Sequence, residues 1–154
     1  MTFTAMSDEL TVSVVDTNVL VYAHLNDAPH HAASFQLLDL ARTGQQAFAV
    51  TPQILMEFHA VITDSRRVSK PFQPEEVREA VERMLDYPTM TVLPVPLDVA
   101  EQTLRLADKH KITGPAIFDA QIAATMIDNG VNGIFTFDKS GFKPFSQIEV
   151  LQPA

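Results

Sequence analysis

Four carboxylates stand where a folded chain would ordinarily place apolar or small side chains. Asp119 is the only charge in the run Ala116–Ile127, AIFDAQIAATMI. At about 100° per residue, Gln121 and Thr125 share one side of a helix built from that run. Asp119 falls opposite them, among Ala116, Ile122, Ala123 and Met126. A helix of this composition is expected to be buried, and a buried carboxylate must be paired, protonated or bound to a metal. Asp16 directly follows the β-branched run Thr11–Val15, TVSVV, and Asp138 follows Gly133–Thr136 after one residue. Glu57 borders the apolar stripe of Ile54, Leu55, Phe58, Val61 and Ile62 on a helix entered from a strand. Each acid has an ordinary reading of its own: a salt bridge for Asp119, an Asx-turn or helix cap for Asp16, a snorkelling helix edge for Glu57, a plain turn with Lys139 for Asp138. Taken together they suggest a chemistry. Converging carboxylates without Lys or Arg beside them cannot all stay ionised unless a cation joins them. Hard oxygen donors favour Mg²⁺, with Mn²⁺ as a substitute. Such clusters drive in-line attack of water on a phosphodiester.

The elements that must position these acids follow from the apolar pattern. The spacing predicts a strand over Thr11–Val15, a short helix over Val19–Leu25 capped by Thr17 or Asn18, and a helix over Pro29–Thr43 stopped by Gly44. A strand over Ala47–Val50 comes next, and Thr51-Pro52 opens a helix running to about Thr63 in cap-then-proline order. Ser65–Pro71, SRRVSKP, reads as a basic loop and Pro74–Asp86 as a charged amphipathic helix. A short strand over Thr91–Val95 is interrupted by Pro94, and helices follow over Leu97–Lys109 and Pro115–Asp128. Ile134–Thr136 and Ile148–Leu151 are the last strands. Short strands alternating with helices imply one α/β domain with a parallel sheet flanked by helices. In such sheets ligands bind beyond the carboxyl ends of the strands, where Asp16 and Asp138 stand.

Composition bounds the answer. The 154 residues carry 11 Lys plus Arg against 19 Asp plus Glu, a net charge of −8, and 46% are hydrophobic. That suits one domain burying roughly two-thirds of its unfolded surface. There is no cysteine, which excludes disulfides, thiolate catalysis and Cys-ligated zinc. No uncharged apolar run reaches the roughly 18 residues of a membrane span; Asp16 and Asp119 break the best candidates. Met1–Leu10 carries Asp8 and Glu9 and no basic residue, unlike a signal peptide, so the cytoplasm is the expected location. Residues 1–10 read as a flexible leader, with Met6 an alternative start, ahead of a single domain over 11–154. The acid excess argues against a broad basic face for nucleic acid. It leaves open an enzyme whose carboxylates are covered by divalent cations.

Four blocks now match a known pattern: DTNVLVYA (Asp16–Ala23), QILMEFHAVIT (Gln53–Thr63), FDAQIAA (Phe118–Ala124) and FTFDKSGF (Phe135–Phe142). In this order and spacing the chain resembles the PIN-domain ribonucleases, and among them the VapC-type toxins of toxin–antitoxin pairs. The resemblance implies a three-layer α/β/α sandwich with a central parallel sheet. It implies that Asp16, Glu57, Asp119 and Asp138 are the catalytic, metal-holding acids, and that Asn18 and Thr136 orient ligands or water behind them. It further implies an Mg²⁺- or Mn²⁺-dependent endoribonuclease acting through a metal-activated water, a homodimer, and inhibition by a small cognate antitoxin. One departure stands out. The family's last block often carries another acid soon after its Asp, where this chain has Lys139, Ser140 and Gly141. One tightly held ion and a second, weaker or substrate-recruited one is therefore the expectation.

The remaining polar groups divide into candidates and bystanders. Arg66, Arg67 and Lys70 form the densest basic group and could meet RNA phosphates, as could Lys139 and Lys143 near Asp138. Lys109, His110 and Lys111 suit a helix C-terminus. His30 and His31 point about 100° apart on a helix, which makes them structural rather than a metal pair. His24 and His59 match no ligand spacing. The apolar side of Pro74–Asp86 could meet a second copy or the antitoxin. Two rival readings are an aspartyl-phosphate protein and a non-catalytic module on the same fold. The first wants a second Asp where Asn18 stands, or the paired first-strand acids of a receiver, and neither is present.

Overall fold

In the computed structural model, which describes residues 10–154, five short strands form one all-parallel sheet. The expected leader, apart from Leu10, and the alternative start at Met6 lie outside the described residues. The strands are β1 (Val12–Val15), β2 (Ala47–Val50), β3 (Met90–Val92), β4 (Gly133–Phe135) and β5 (Glu149–Leu151), in the order β3-β2-β1-β4-β5. Six helices surround them: α1 (Thr17–His24), α2 (His31–Arg42), α3 (Pro52–Ile62), α4 (Pro74–Leu85), α5 (Val99–His110) and α6 (Ile117–Asp128). α1 packs on α2 and α3, and α3 on α4, while α5 packs on α6, giving a three-layer α/β/α sandwich. Because the sheet is covered on both sides, the inner strands are apolar without alternation. Val14, Val15, Phe48, Ala49 and Ile134 are fully buried, against Leu20, Phe58, Ile122 and Met126 of the helices.

The strand order places the site. The chain leaves β1 toward β2 on one side and returns to β4 on the other. Connections therefore diverge at the carboxyl ends of β1 and β4, and a crevice opens between them. Asp16 is the first residue past β1, and its backbone N–H donates to Phe135 O of β4 at 3.0 Å. Thr136 is the first residue past β4.

Several local expectations are corrected. α1 begins at Thr17, and its cap is Asp16, the ordinary role noted for that acid, rather than Thr17 or Asn18: Asp16 Oδ1 accepts from Thr17 N at 2.8 Å. The strand ends in an extended residue, φ −74° and ψ 162°, which already has the backbone of a helix cap. The third strand covers Met90–Val92 instead of Thr91–Val95. Leu93 N still donates to Val50 O at 2.9 Å, but Pro94 has no N–H to continue the ladder. Residues Gly114–Ala116 form a 3₁₀ turn before α6. Burial of α6 is continuous only over Ile122–Met126; its first turn is open, with Phe118 54% exposed and Asp119 half-buried. Thr125, expected on a polar side, is buried. The apolar stripe of α4, Val77, Ala80 and Met84, packs into the protein's own core, against α3 and β3.

α3 follows the anticipated logic. Thr51 Oγ1 accepts from Ile54 N at 3.1 Å and Pro52 occupies the first turn. Removing the cap in Thr51→Ala should cost about 1 kcal/mol. Phe58→Ala, which empties a site with no solvent exposure, should cost about 3–5 kcal/mol. Urea denaturation should show both as lower midpoints with unchanged slope.

Candidate active site

Asp16 is the most firmly held acid. It is buried, and both oxygens are engaged: Oδ1 with Thr17 N, and Oδ2 with the Thr136 hydroxyl, which donates to it at 2.9 Å. The Thr136 hydroxyl in turn accepts from Asn18 Nδ2 at 2.9 Å and from Asp138 N at 3.0 Å. One donor and two acceptor positions are thereby all filled. Asn18 Oδ1 accepts from Phe137 N at 3.1 Å, so its amide bridges α1 to the segment after β4. Burial pushes the Asp16 carboxyl above its ordinary range; the bonds from Thr17 N and Thr136 oppose this, while Glu57 and Asp138 add to it.

Glu57 is brought in from α3. Its Oε2 accepts from Thr17 Oγ1 at 3.0 Å and its Oε1 from Gln53 Nε2 at 2.8 Å. Gln53 Nε2 also donates to Phe118 O at 2.9 Å, tying α3 to the open first turn of α6. Sequence reasoning named Thr17 only as a helix cap and did not single out Gln53. Gln53 left a faint signal, since Gln and Glu four apart on a helix are neighbours. Thr17 left none, because its partner lies 40 residues away.

Asp119 is held differently. Among the described residues no side chain donates a hydrogen bond to it, and its carboxyl is pushed up to about 6, first by desolvation and then by Asp16, Asp138 and Glu57. The backbone of Gly141 passes against it so closely that a Cβ there would collide with Asp119 Oδ2 and lie 3.0 Å from Cγ. Gly141, noted in the sequence only for not being an acid, is thus a site residue. Asp138 is exposed, and its Oδ1 accepts from Ser140 N at 3.2 Å and Ser140 Oγ at 2.7 Å. The turn first suggested for Asp138 is therefore present as well.

All four acids line one cleft of about 500 Å³, together with Thr17, Asn18, Tyr22 and Arg67. A smaller cleft of about 360 Å³ shares Asp119 and Asp138 and runs over Ser140 and Gly141. The donor set is all hard oxygen, which fits Mg²⁺ or Mn²⁺. Among the described residues no three such side chains are grouped closely enough to enclose an ion by themselves as they stand. The acids share a cavity and feel one another's charge while remaining open.

The basic residues separate. Arg66 is paired with Asp64, Nε to Oδ1 and Nη2 to Oδ2 both at 3.0 Å, and its own N–H donates to Asp64 Oδ1 at 2.9 Å. Of Arg66, Arg67 and Lys70, only Arg67 lines the acidic cleft. Lys70 and Lys139 are exposed and lie outside the lining of both clefts. Lys111 is turned to Asp108 at 3.4 Å. His31 Nδ1 bonds Tyr22 O at 2.9 Å and His24 Nδ1 bonds Leu20 O at 2.7 Å, both structural contacts.

Two outcomes follow. Asp119 holds its proton more tightly folded than unfolded, so the native state binds the extra proton and stability falls as pH rises from 3.8 through about 6. In a chelator, Asp119→Asn should melt higher than the parent above about pH 6, the difference closing toward pH 3.8. Gly141→Ala should displace Asp119 and weaken Mn²⁺ binding about ten- to a hundredfold by isothermal titration calorimetry.

The chain matches the family model described as the PIN domain over residues 13–148. It is 29% identical over 140 residues to Ribonuclease VapC24 of Mycobacterium tuberculosis, covering 90% of this chain and 94% of that protein. Ribonuclease VapC43 of the same species is 29% identical over 139 residues, covering 90% and 93%. Among solved structures it is similar in fold to M. tuberculosis VapC20, described as a toxin that cleaves the sarcin–ricin loop, with TM-score 0.65, 18% identity, and 88% and 95% of the two chains covered. It is also similar in fold to DNA-bound VapBC from Salmonella typhimurium, with TM-score 0.62, 20% identity, and 95% and 100% covered. With the matched span running from Ser13 in β1 to Ile148 at the entry to β5, and the four acids gathered at the crevice between β1 and β4, this chain belongs to the PIN-domain family.

Proposed function

We propose that this protein is an Mg²⁺-dependent endoribonuclease, the toxin of a toxin–antitoxin pair, that hydrolyses RNA phosphodiesters to leave 5′-phosphate and 3′-hydroxyl ends. The observation that carries the reading is the convergence of Asp16, Glu57, Asp119 and Asp138, from four separate elements, on one cleft that Arg67 borders. The relatives named as VapC ribonucleases, aligned over nine-tenths of the chain, support it.

Asp16, Glu57, Asp119 and Asp138 would hold Mg²⁺, with Mn²⁺ as a substitute. A dication there supplies charge neutralisation and Lewis acidity toward phosphate and water. Asp16 is the fixed point, because its carboxylate is bonded on both oxygens before anything binds. Glu57 is set by Thr17 and Gln53. Asp119, its carboxyl pushed up to about 6, would be the acid among these whose proton a bound dication displaces. Asn18 and Thr136 are positioning residues that keep Asp16 and the Phe137–Asp138 backbone in register. Arg67 meets a phosphate of the strand at the rim of the cleft, while Arg66, Lys70 and Lys139 bear at most on outlying phosphates.

A small cognate antitoxin and a second copy of the chain complete the proposed assembly, and its setting is the cytoplasm. A solved structure of similar fold, from Klebsiella pneumoniae, is described as a toxin–antitoxin complex. Among the described residues no helix is long and apolar enough to cross a membrane.

With purified protein and cellular RNA in Mg²⁺, Asp16→Asn and Asp119→Asn should each lower the cleavage rate by about a hundredfold or more while remaining folded. Chelation should stop cleavage, and Mg²⁺ or Mn²⁺ should restore it. Arg67→Ala should raise KM about tenfold, Arg66→Ala far less. Undiminished cleavage by Asp119→Asn would overturn the assignment.

A further inference from the structure

One group of rings, which reaches the cleft through Tyr22, is not explained by holding a cation or by the core. Tyr22 lines the cleft one helical turn beyond Asn18. Its ring meets Phe137 edge-on at 5.5 Å between centroids, at 67°. Phe137 lies between Thr136 and Asp138, and its backbone is pinned by Asn18. His30 stacks on Phe137 nearly parallel, 14° between planes and 4.1 Å between centroids, and lies 5.4 Å from Tyr22. Tyr22 and Phe137 are half-buried, whereas His30 is exposed. The outermost member of the stack is therefore the exposed one, and Tyr22 connects it to the cleft that the four carboxylates line.

His30 has no other employment. It precedes α2 without making a side-chain capping bond, and no hydrogen bond among the described residues reaches its ring. Its neighbour His31, by contrast, is fixed to Tyr22 O. A ring serving only to shield the core would be expected to lie inward. This one extends a column of π-systems outward from the segment that carries Asp138.

We infer that the Phe137–His30 stack, edged by Tyr22, is a platform for one unpaired nucleobase of a single strand whose neighbouring phosphate enters the acidic cleft. The inference rests on the ribonuclease reading for its choice of ligand. Unstacked bases of single-stranded RNA are commonly held on aromatic faces, and every base has one, so such a platform confers affinity with little base identity. Stacking strength gives purines a modest advantage. The platform also answers an electrostatic difficulty: with a charge of −8 the protein has few cations with which to hold a polyanion, and stacking requires none.

The test uses the full chain carrying Asp119→Asn, so that bound strand is not turned over, with short single-stranded oligoribonucleotides bearing one 2-aminopurine at successive positions. Quenching is expected at one position. His30→Ala should abolish it and weaken binding about five- to a hundredfold, whereas His30→Phe should preserve both. With an abasic site at that position, His30→Ala should cost nothing further. The platform is overturned if no position is quenched, if quenching survives His30→Ala, or if His30→Ala costs as much on the abasic strand as on the intact one. Cleavage by the unsubstituted protein is scored separately. Quenching without cleavage upholds the platform and removes the nuclease reading; cleavage without quenching does the reverse.

Discussion

Like charges in a partly dry cleft repel, and the rest of this molecule is arranged around that repulsion. Burial raises the proton affinity of Asp16 and Asp119, and the neighbouring acids add to the effect: Glu57 and Asp138 on Asp16, and Asp16, Asp138 and Glu57 on Asp119. An arrangement of this kind is costly to the folded state unless a cation is present. The sandwich tolerates it by concentrating apolar burial elsewhere. β1, β2 and β4 are covered on both sides, and Phe48, Phe58, Ile122 and Met126 are removed from solvent. The crevice at the strand-order reversal is where the backbone must diverge anyway, so polar groups there interrupt no packing.

Within the cleft the four acids are not equivalent. Asp16 is fixed by a network that consumes the whole bonding capacity of Thr136 and both ends of the Asn18 amide. Removing one member would leave a buried partner unsatisfied, which is why such networks act as a unit. Glu57 is steered by two side chains, while Asp119 is confined only by the passing backbone of Gly141. Asp138 stays at the surface, turned to Ser140. The order runs from a rigid anchor to groups free to adjust, which suits a site whose charge changes when a dication and a phosphodiester arrive. It also accounts for the acids sharing a cleft without closing into a cage.

The surroundings of the cleft show the same economy. In the loop SRRVSKP two adjacent arginines have opposite fates, because Asp64 takes the guanidinium and the backbone N–H of Arg66 and leaves Arg67 to line the acids. Next to Tyr22 of the cleft, Phe137 and His30 are stacked rings that would offer a strand a face without formal charge. A strongly acidic protein that handles a polyanion gains from contacts of that sort, since each added cation beside the acids would compete with the metal for them.

The parallel α/β class was legible in the alternation of short β-branched runs with helical periods. Of the acids that share the cleft, Glu57, at the margin of a stripe, stood out through the family resemblance, while Asp119 was legible as a break in an apolar run and Asp16 and Asp138 as residues just past strands. Those are local signals: they depend on the 3.6- and 2-residue periods of the backbone, which a sequence displays directly. Contacts between distant segments left no such trace. That Thr17 would hold Glu57, that Gly141 would have to be bare to let Asp119 in, that Arg67 and not Arg66 would face the cleft, and that His30 would lie flat on Phe137 were decided by strands β1 and β4 being neighbours and by the helices packed on them. Two boundaries were likewise misplaced, the end of β3, where Pro94 lacks an N–H, and the start of α1, which begins at Thr17 rather than Val19. Sequence periodicity determines which face a residue shares with its own element, whereas partners across elements depend on the sheet order and the close packing it imposes.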